Sequence, residues 1–128
     1  MRVSLGRPAR DRVWRLRPGG EFERVRQTGR SWPHRLLIVI IQPRPDAPND
    51  PSRLAVAAGK RLGNAVVRNR LKRRLRAAIR QVYPRLAPGL DVIVIARAPL
   101  IDAEMTAITA ALSDVLRRAQ VWPVEPRT

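Results

Sequence analysis

The chain has 128 residues, an apolar fraction of 45% and a formal net charge of +16. This length suits a single domain, and the apolar fraction argues against wholesale disorder. No apolar run approaches the ~20 residues of a membrane span, the basic amino terminus lacks the apolar stretch of a signal peptide, and cysteine is absent. We therefore expect a cytoplasmic protein without a membrane partner. One domain is expected at 18–120, between a flexible basic arm at 1–17 and a tail at 121–128.

The first half of the chain predicts a short helix followed by strands. Acidic residues in the first turn and Gly29 at the end indicate a helix from Gly20, with Phe22 and Val25 facing the core. A short strand is expected to start at Ser31, and the apolar run over 35–41, rich in β-branched residues, predicts a buried strand. After a proline-rich loop, a further strand is expected over 53–58.

The second half predicts a long helix, a strand and a last helix. Asn64 is the expected N-cap of the long helix, which ends before Pro84. A strand is expected over 90–97, and we expect Asp102 to cap the last helix. Because apolar strands alternate with amphipathic helices, the pattern predicts an α+β protein built as a two-layer α/β sandwich.

The long helix is amphipathic, and its polar side is basic. Its apolar residues recur every three or four positions: Val67, Leu71, Leu75, Ala78, Ile79 and Val82. On the opposite side, Asn69, Arg73, Arg76 and Arg80 fall within about 60° of one another on a helical projection. Like charges four residues apart each cost roughly 0.2–0.5 kcal/mol, whereas each large apolar side chain returns roughly 1.5–3 kcal/mol on burial. The helix can therefore form, and its charge serves something other than stability.

Charge is also segregated along the chain. Between Pro51 and Leu90 there are eleven basic residues and no acidic one. Segregated positive charge of this kind is typical of proteins that bind nucleic acid or another anionic surface. A polyanion is therefore the expected partner of the long helix, and no obligate protein partner is evident.

Residues suited to catalysis are scarce. His34, the only histidine, is expected in a surface loop. The one local group of acids is Asp91, Asp102 and Glu104, to which we assign strand-edge and helix-cap roles. Metal-dependent nucleases need several carboxylates converging on the ion, and the turn at 59–63 is too short for a phosphate-binding P-loop. We therefore expect neither catalytic residues nor a metal site in the protein.

The long helix carries a specific motif. Residues 68–76 read RNRLKRRLR and follow GNAV at 63–66, which resembles the signature of the bacterial ribonuclease P protein component. The segments EFERV at 21–25 with Gly29, GKRLG at 59–63 and DVIVIAR at 91–97 resemble that family's first helix, basic turn and last strand. Gly59 stands where the family usually has serine, and Arg26 and Ile40 stand where it often has aromatic rings.

The resemblance implies more than the spacing does. It implies a sheet of about four strands, a left-handed βαβ crossover through the basic helix and two further helices. It also implies a ribonucleoprotein in which the RNA subunit, with Mg²⁺, removes the 5′ leader of precursor tRNA endonucleolytically. The protein is then the non-catalytic subunit, and its partners are the catalytic RNA and the leader.

Site residues follow from the same resemblance. The RNA-binding residues are expected to be Lys60, Arg61, Asn64, Arg68, Asn69, Arg70, Lys72, Arg73, Arg76 and Arg80. The leader is expected in a cleft between the first helix and the sheet, lined by Phe22, Arg26, Leu36 and Ile40.

Two other functions compete with this one as explanations of the basic helix. A ribosomal or architectural RNA-binding protein would explain the charge without any role in cleavage. A DNA-binding helix is disfavoured, because no helix-turn-helix pair precedes the basic helix.

Overall fold

The computed structural model describes residues 15–17 and 19–125, which form a four-stranded mixed sheet with three α-helices. The strands are β1 (Arg30–Pro33), β2 (Leu37–Pro43), β3 (Arg53–Ala57) and β4 (Leu90–Ala96), and the helices are α1 (Gly20–Thr28), α2 (Ala65–Val82) and α3 (Met105–Arg118). The order across the sheet is β1-β2-β4-β3. Strands β3 and β4 are parallel, and the other two pairs are antiparallel.

The crossover through α2 joins two parallel neighbours. Strand β3 leads into α2, and α2 leads into β4, which pairs with β3 from Arg53↔Asp91 to Ala57↔Ile95. The predicted βαβ unit is therefore confirmed, while its left hand stays a prediction.

The sheet has an apolar core on each face, because side chains alternate between the two faces along a strand. On one face, strand residues such as Leu37, Val39 and Val92 pack with α2 and α3. On the other face, Ile40, Ala55 and Ile93 pack with Leu16 and with Val25 of α1. The predicted sandwich is confirmed, and α1 adds a partial layer on the second face.

The strand predicted over 35–41 is displaced by two residues. Strand β2 begins at Leu37, because the backbone turns at His34 and Leu36. The His34 N–H donates to the carbonyl oxygen of Leu37 at 2.8 Å, and the Leu36 N–H donates to Nδ1 of His34 at 3.0 Å. The histidine therefore shapes a turn.

Two of the predicted roles for acids are wrong. Asp102 does not cap the last helix: it ends a short 3₁₀ helix, Ala98–Asp102, and the N-cap position of α3 is Glu104, whose side chain makes no capping hydrogen bond. Asp91 does not lie at a sheet edge either. It belongs to β4, between β2 and β3, and is fully buried.

Both flanking segments touch the domain. The Leu16 N–H donates to the carbonyl oxygen of Leu54 at 2.7 Å, and Arg15 forms a parallel bridge with the same residue. After α3, the Trp122 indole N–H donates to the carbonyl oxygen of Val82 at 2.9 Å, and the ring stacks under Arg117. Most of the predicted arm, 1–14, and residues 126–128 of the tail lie outside the described residues. The division at 17 and 121 therefore stays a prediction.

Candidate nucleic-acid interface

The start of α2 is set by its backbone. Lys60–Leu62 forms a 3₁₀ turn whose two basic side chains, Lys60 and Arg61, are exposed. Gly63 has φ 144°, and a Cβ there would lie 3.0 Å from Cβ of Val67, so glycine is required on two counts. Oδ1 of Asn64 accepts a hydrogen bond from the Val67 N–H at 3.0 Å, which confirms the predicted N-cap.

The apolar side of α2 is buried against the sheet. The predicted stripe is confirmed by its buried members, which are Leu71, Leu75, Ala78, Ile79 and Val82, while Val67 is half-buried. These contacts fix the rotation of α2 about its axis. Asn69, Arg70 and Arg73 of the basic side are consequently exposed to solvent.

The predicted RNA-binding side chains of α2 differ in exposure. Asn69, Arg70 and Arg73 are exposed, and Arg68, Lys72, Arg76 and Arg80 are half-buried. Nε of Arg68 is buried and has no hydrogen-bond partner among residues 15–17 and 19–125. A buried donor without a partner is costly. Asn64 keeps only its amide NH₂ for a ligand, since Oδ1 caps the helix.

One arginine of the RNRLKRRLR motif turns inward. Arg74 donates through Nη1 to the carbonyl oxygen of Leu100 at 3.4 Å and through Nη2 to that of Ala103. Both carbonyls belong to the segment between β4 and α3. Arg74 therefore fastens α2 to the segment that leads into α3, and its charge is not directed at a partner.

A cavity of about 220 Å³ lies where α1, β3 and α2 approach one another. It is lined by Arg15, Leu16, Phe22, Leu54, Ala55, Val56, Lys72 and Arg76. The cavity thus combines one aromatic ring and apolar residues with two cations of α2 and one of the preceding arm. This combination suits a single-stranded nucleic acid, whose bases stack on rings and whose phosphates pair with cations.

The cavity differs from the cleft that we predicted from the sequence. Phe22 lines it, but Leu36 is buried in the other core, on the α2 and α3 face, so its assignment to the cleft is wrong. Ile40 is only 7% exposed and packs in the core beneath α1, while Arg26 is exposed on α1 and pairs with Glu23 at 3.8 Å. Neither residue lines the cavity.

The sequence reasoning missed the β3 part of this cavity. Its lining residues Leu54, Ala55 and Val56 belong to the strand with the weakest apolar pattern. Of these three residues, only Ala55 has a small side chain. The sequence pattern therefore gave no clear signal for this part of the cavity.

A charge cluster lies on the α1 face of the sheet, where β3 and β4 begin. Arg53 donates to Asp91 through Nε at 2.8 Å and Nη2 at 2.9 Å, and its Nη1 reaches Oε2 of Glu21 at 3.0 Å. Arg24 and Arg44 approach the same carboxylate at 3.4 and 3.7 Å. The hydrogen bond to Asp91 raises the pKa of Arg53 above its ordinary value, although desolvation opposes this.

Residues 15–17 and 19–125 contain no group of three or more His, Cys, Asp or Glu side chains that could hold a metal ion. Within the same residues, no helix is long and apolar enough to cross a membrane. Tyr83 is half-buried, and desolvation raises its pKa; its hydroxyl donates to the carbonyl oxygen of Ser52 at 2.9 Å.

Comparison with known proteins gives a consistent family match. A family model described as Ribonuclease P matches residues 11–120. The ribonuclease P protein component of Herpetosiphon aurantiacus is 43% identical over 111 residues, covering 87% of this chain and 88% of the relative. That of Roseiflexus castenholzii is 42% identical over 113 residues, covering 86% and 88%.

Solved structures agree with the sequence match. The RNase P protein of Staphylococcus aureus is 32% identical, with a TM-score of 0.73 over 84% of this chain and 96% of that one. The RNase P protein of Thermotoga maritima is 27% identical, with a TM-score of 0.71 over 81% and 96%.

Proposed function

Because the chain belongs to the ribonuclease P protein family and is a protein subunit of this tRNA-processing ribonucleoprotein, we propose that each of its two basic surfaces binds a different RNA. The outer side of α2, with the Lys60–Leu62 turn, binds the RNA subunit. The cavity between α1, β3 and α2 holds the 5′ leader of precursor tRNA. The observation that carries this proposal is that one helix supplies cations to both surfaces, since Lys72 and Arg76 line the cavity.

The outer surface suits a folded RNA. Eighteen residues of α2 give a helix of about 27 Å at 1.5 Å per residue, which is long enough to follow several phosphates. Its apolar side is buried, so the exposed cations are held at fixed positions. With ~6 phosphate contacts, the logarithm of affinity would fall by about 4–5 per tenfold rise in salt.

The cavity suits a single strand. Phe22 offers a ring for stacking, and the cations of α2 lie across from it. Base stacking is worth ~1–3 kcal/mol per base, and one ring supports only a short stretch of it. Phosphate pairing with Lys72 and Arg76 therefore contributes a large share of leader affinity in this proposal.

The protein supplies binding and the RNA subunit supplies the reaction. Cleavage brings leader, tRNA and catalytic RNA together against strong phosphate repulsion, which the cations of α2 reduce. In this proposal, Mg²⁺ serves the RNA subunit. The protein side chains then hold the leader and the RNA subunit in place without taking part in bond breaking.

Reconstitution tests this division. The catalytic RNA is assayed with and without the protein on precursor tRNA, over a range of Mg²⁺ concentrations. We expect the protein to raise cleavage at low Mg²⁺ and to lower the Mg²⁺ concentration needed for half-maximal rate. Unchanged cleavage in the presence of bound protein would contradict the proposal and would favour a purely architectural role.

A further inference from the structure

The Asp91 charge cluster connects three separate parts of the chain. Asp91 is fully buried in β4, Arg53 begins β3, and Glu21 and Arg24 lie on α1. Arg53 uses both sides of its guanidinium fork, since Nε and Nη2 bind Asp91 and Nη1 binds Glu21. A single arginine thus joins the interior of the sheet to the first turn of α1.

This connection stands directly beside the cavity. Glu21 precedes Phe22 on α1, and Arg53 precedes Leu54 on β3, and both following residues line the cavity. α1 and β3 are therefore joined one residue away from Phe22 and Leu54, two of the residues that line the cavity. A change in this link moves the ring of Phe22 relative to β3.

Among residues 15–17 and 19–125, few other contacts hold α1 in place. The helix has nine residues, of which only Val25 is buried, with Phe22 half-buried against the same core. At its other end, Nε2 of Gln42 donates to Oγ1 of Thr28 at 2.7 Å. Because apolar contacts tolerate sliding and forked ion pairs have fixed geometry, the polar link defines the placement of α1.

We propose that Arg53 and Asp91 are positioning residues for leader binding: through Glu21 and Arg24 they hold α1 at the distance from β3 that fits a single strand. This inference rests on the proposed function of the cavity. It gives the charge cluster a role in substrate affinity beyond its contribution to folding. The prediction specific to this role is a loss of affinity for the leader, without a matching loss of affinity for the RNA subunit.

The test uses conservative substitutions that we expect to keep the fold. Arg53→Lys preserves the charge but loses the fork that joins Asp91 to Glu21. Glu21→Gln removes the α1 end of the link. Its control is Glu23→Gln, which also removes one negative charge from α1. Glu23 pairs with Arg26 of the same helix and is therefore not part of the link. Circular dichroism and thermal unfolding establish that each variant is folded at the assay temperature.

Two affinities are then measured with the reconstituted holoenzyme: one for precursor tRNA with a leader and one for tRNA without it. Their ratio is the leader contribution. We expect Arg53→Lys to reduce this ratio by about tenfold and Glu21→Gln by about threefold relative to Glu23→Gln, the scale of one partly exposed charge pair. Affinity of the protein for the RNA subunit should stay within about twofold, because α2 is untouched.

The outcomes separate this inference from the proposed function. If the wild-type holoenzyme shows no leader contribution, the cavity does not hold the leader and the proposed function fails. If the wild type shows it and folded Arg53→Lys and Glu21→Gln proteins retain it in full, the cluster is purely structural and only this inference is overturned. An equal loss in Glu23→Gln would likewise overturn it, because the effect would then follow charge and not the link.

Discussion

Two groups of arginines in this protein have opposite relations to the fold. Around Asp91, Arg24, Arg44 and Arg53 converge on one buried carboxylate, and their charge is compensated. On α2, basic residues follow one another with no acid between Pro51 and Leu90. The first group contributes to the placement of α1, whereas the second is held in place by apolar contacts on the other side of its helix.

The comparison shows that arginine content alone does not identify a binding surface. Arg74 lies within the basic motif but donates to two backbone carbonyls of its own chain. Arg68, six residues earlier, has a buried Nε without a hydrogen-bond partner in the part of the chain that the structure describes. What distinguishes the two is the set of acceptors that the tertiary structure brings within reach.

The largest expected effect comes from breaking the apolar support of α2. Leu75→Glu places a charge at a site that is fully buried, so the variant should lose cooperative folding altogether. The control is Val66→Glu, since Val66 is 76% exposed on the same helix and its substitution should leave the fold intact. Circular dichroism during thermal unfolding distinguishes the two, and a folded Leu75→Glu protein would mean that α2 is rotated differently.

The next effect comes from breaking the compensated group. Asp91→Asn leaves Arg53 and its neighbours without their shared counter-charge, and we expect a loss of about 3 kcal/mol in the free energy of unfolding, as for other disrupted buried pairs. Asp114→Asn, at an exposed position on α3, should change stability by less than about 0.5 kcal/mol. Urea denaturation measures both. Equal stability of the two variants would show that the cluster does not support the fold.

Removing uncompensated charges should affect binding and leave folding unchanged. We expect Arg68→Ala and Arg73→Ala each to weaken binding to the RNA subunit by about tenfold at low salt and to flatten the salt dependence by about one phosphate contact. Arg118→Ala, near the end of α3, serves as control. Affinities measured by filter binding at several salt concentrations decide the matter, and an unchanged slope would rule out phosphate pairing by these side chains.

The smallest expected effect concerns the turn before α2. Gly63→Ala forces a side chain onto a backbone with φ 144° and against Val67, and should cost about 1 kcal/mol of stability. Gly59→Ala meets open space at an ordinary φ and should change stability by at most about 0.5 kcal/mol. Thermal unfolding compares the pair. The open space at Gly59 also means that the serine usual in the family would fit.

The predictions from sequence succeeded where local rules are strong. The apolar stripe of α2, its cap at Asn64 and the apolar strands followed from periodicity and capping chemistry. The basic motif indicated the family, which the comparisons confirm. The leader cleft stays a prediction: Phe22 lines the cavity beside β3, whereas Leu36 is buried in the core on the α2 and α3 face of the sheet.

The sequence by itself determined the helix, the segregation of charge and the family, since each depends on residues close together in the chain. Only the tertiary structure decided which arginines are compensated and which residues meet at the cavity. Asp91 and Arg53 are distant in sequence, and pairing of β3 with β4 brings them into register. The packing of α2 beside β3 likewise brings Leu54, Ala55 and Val56 to the same cavity as Lys72 and Arg76. Contacts between residues so distant in sequence depend on strand order, which local residue patterns do not encode.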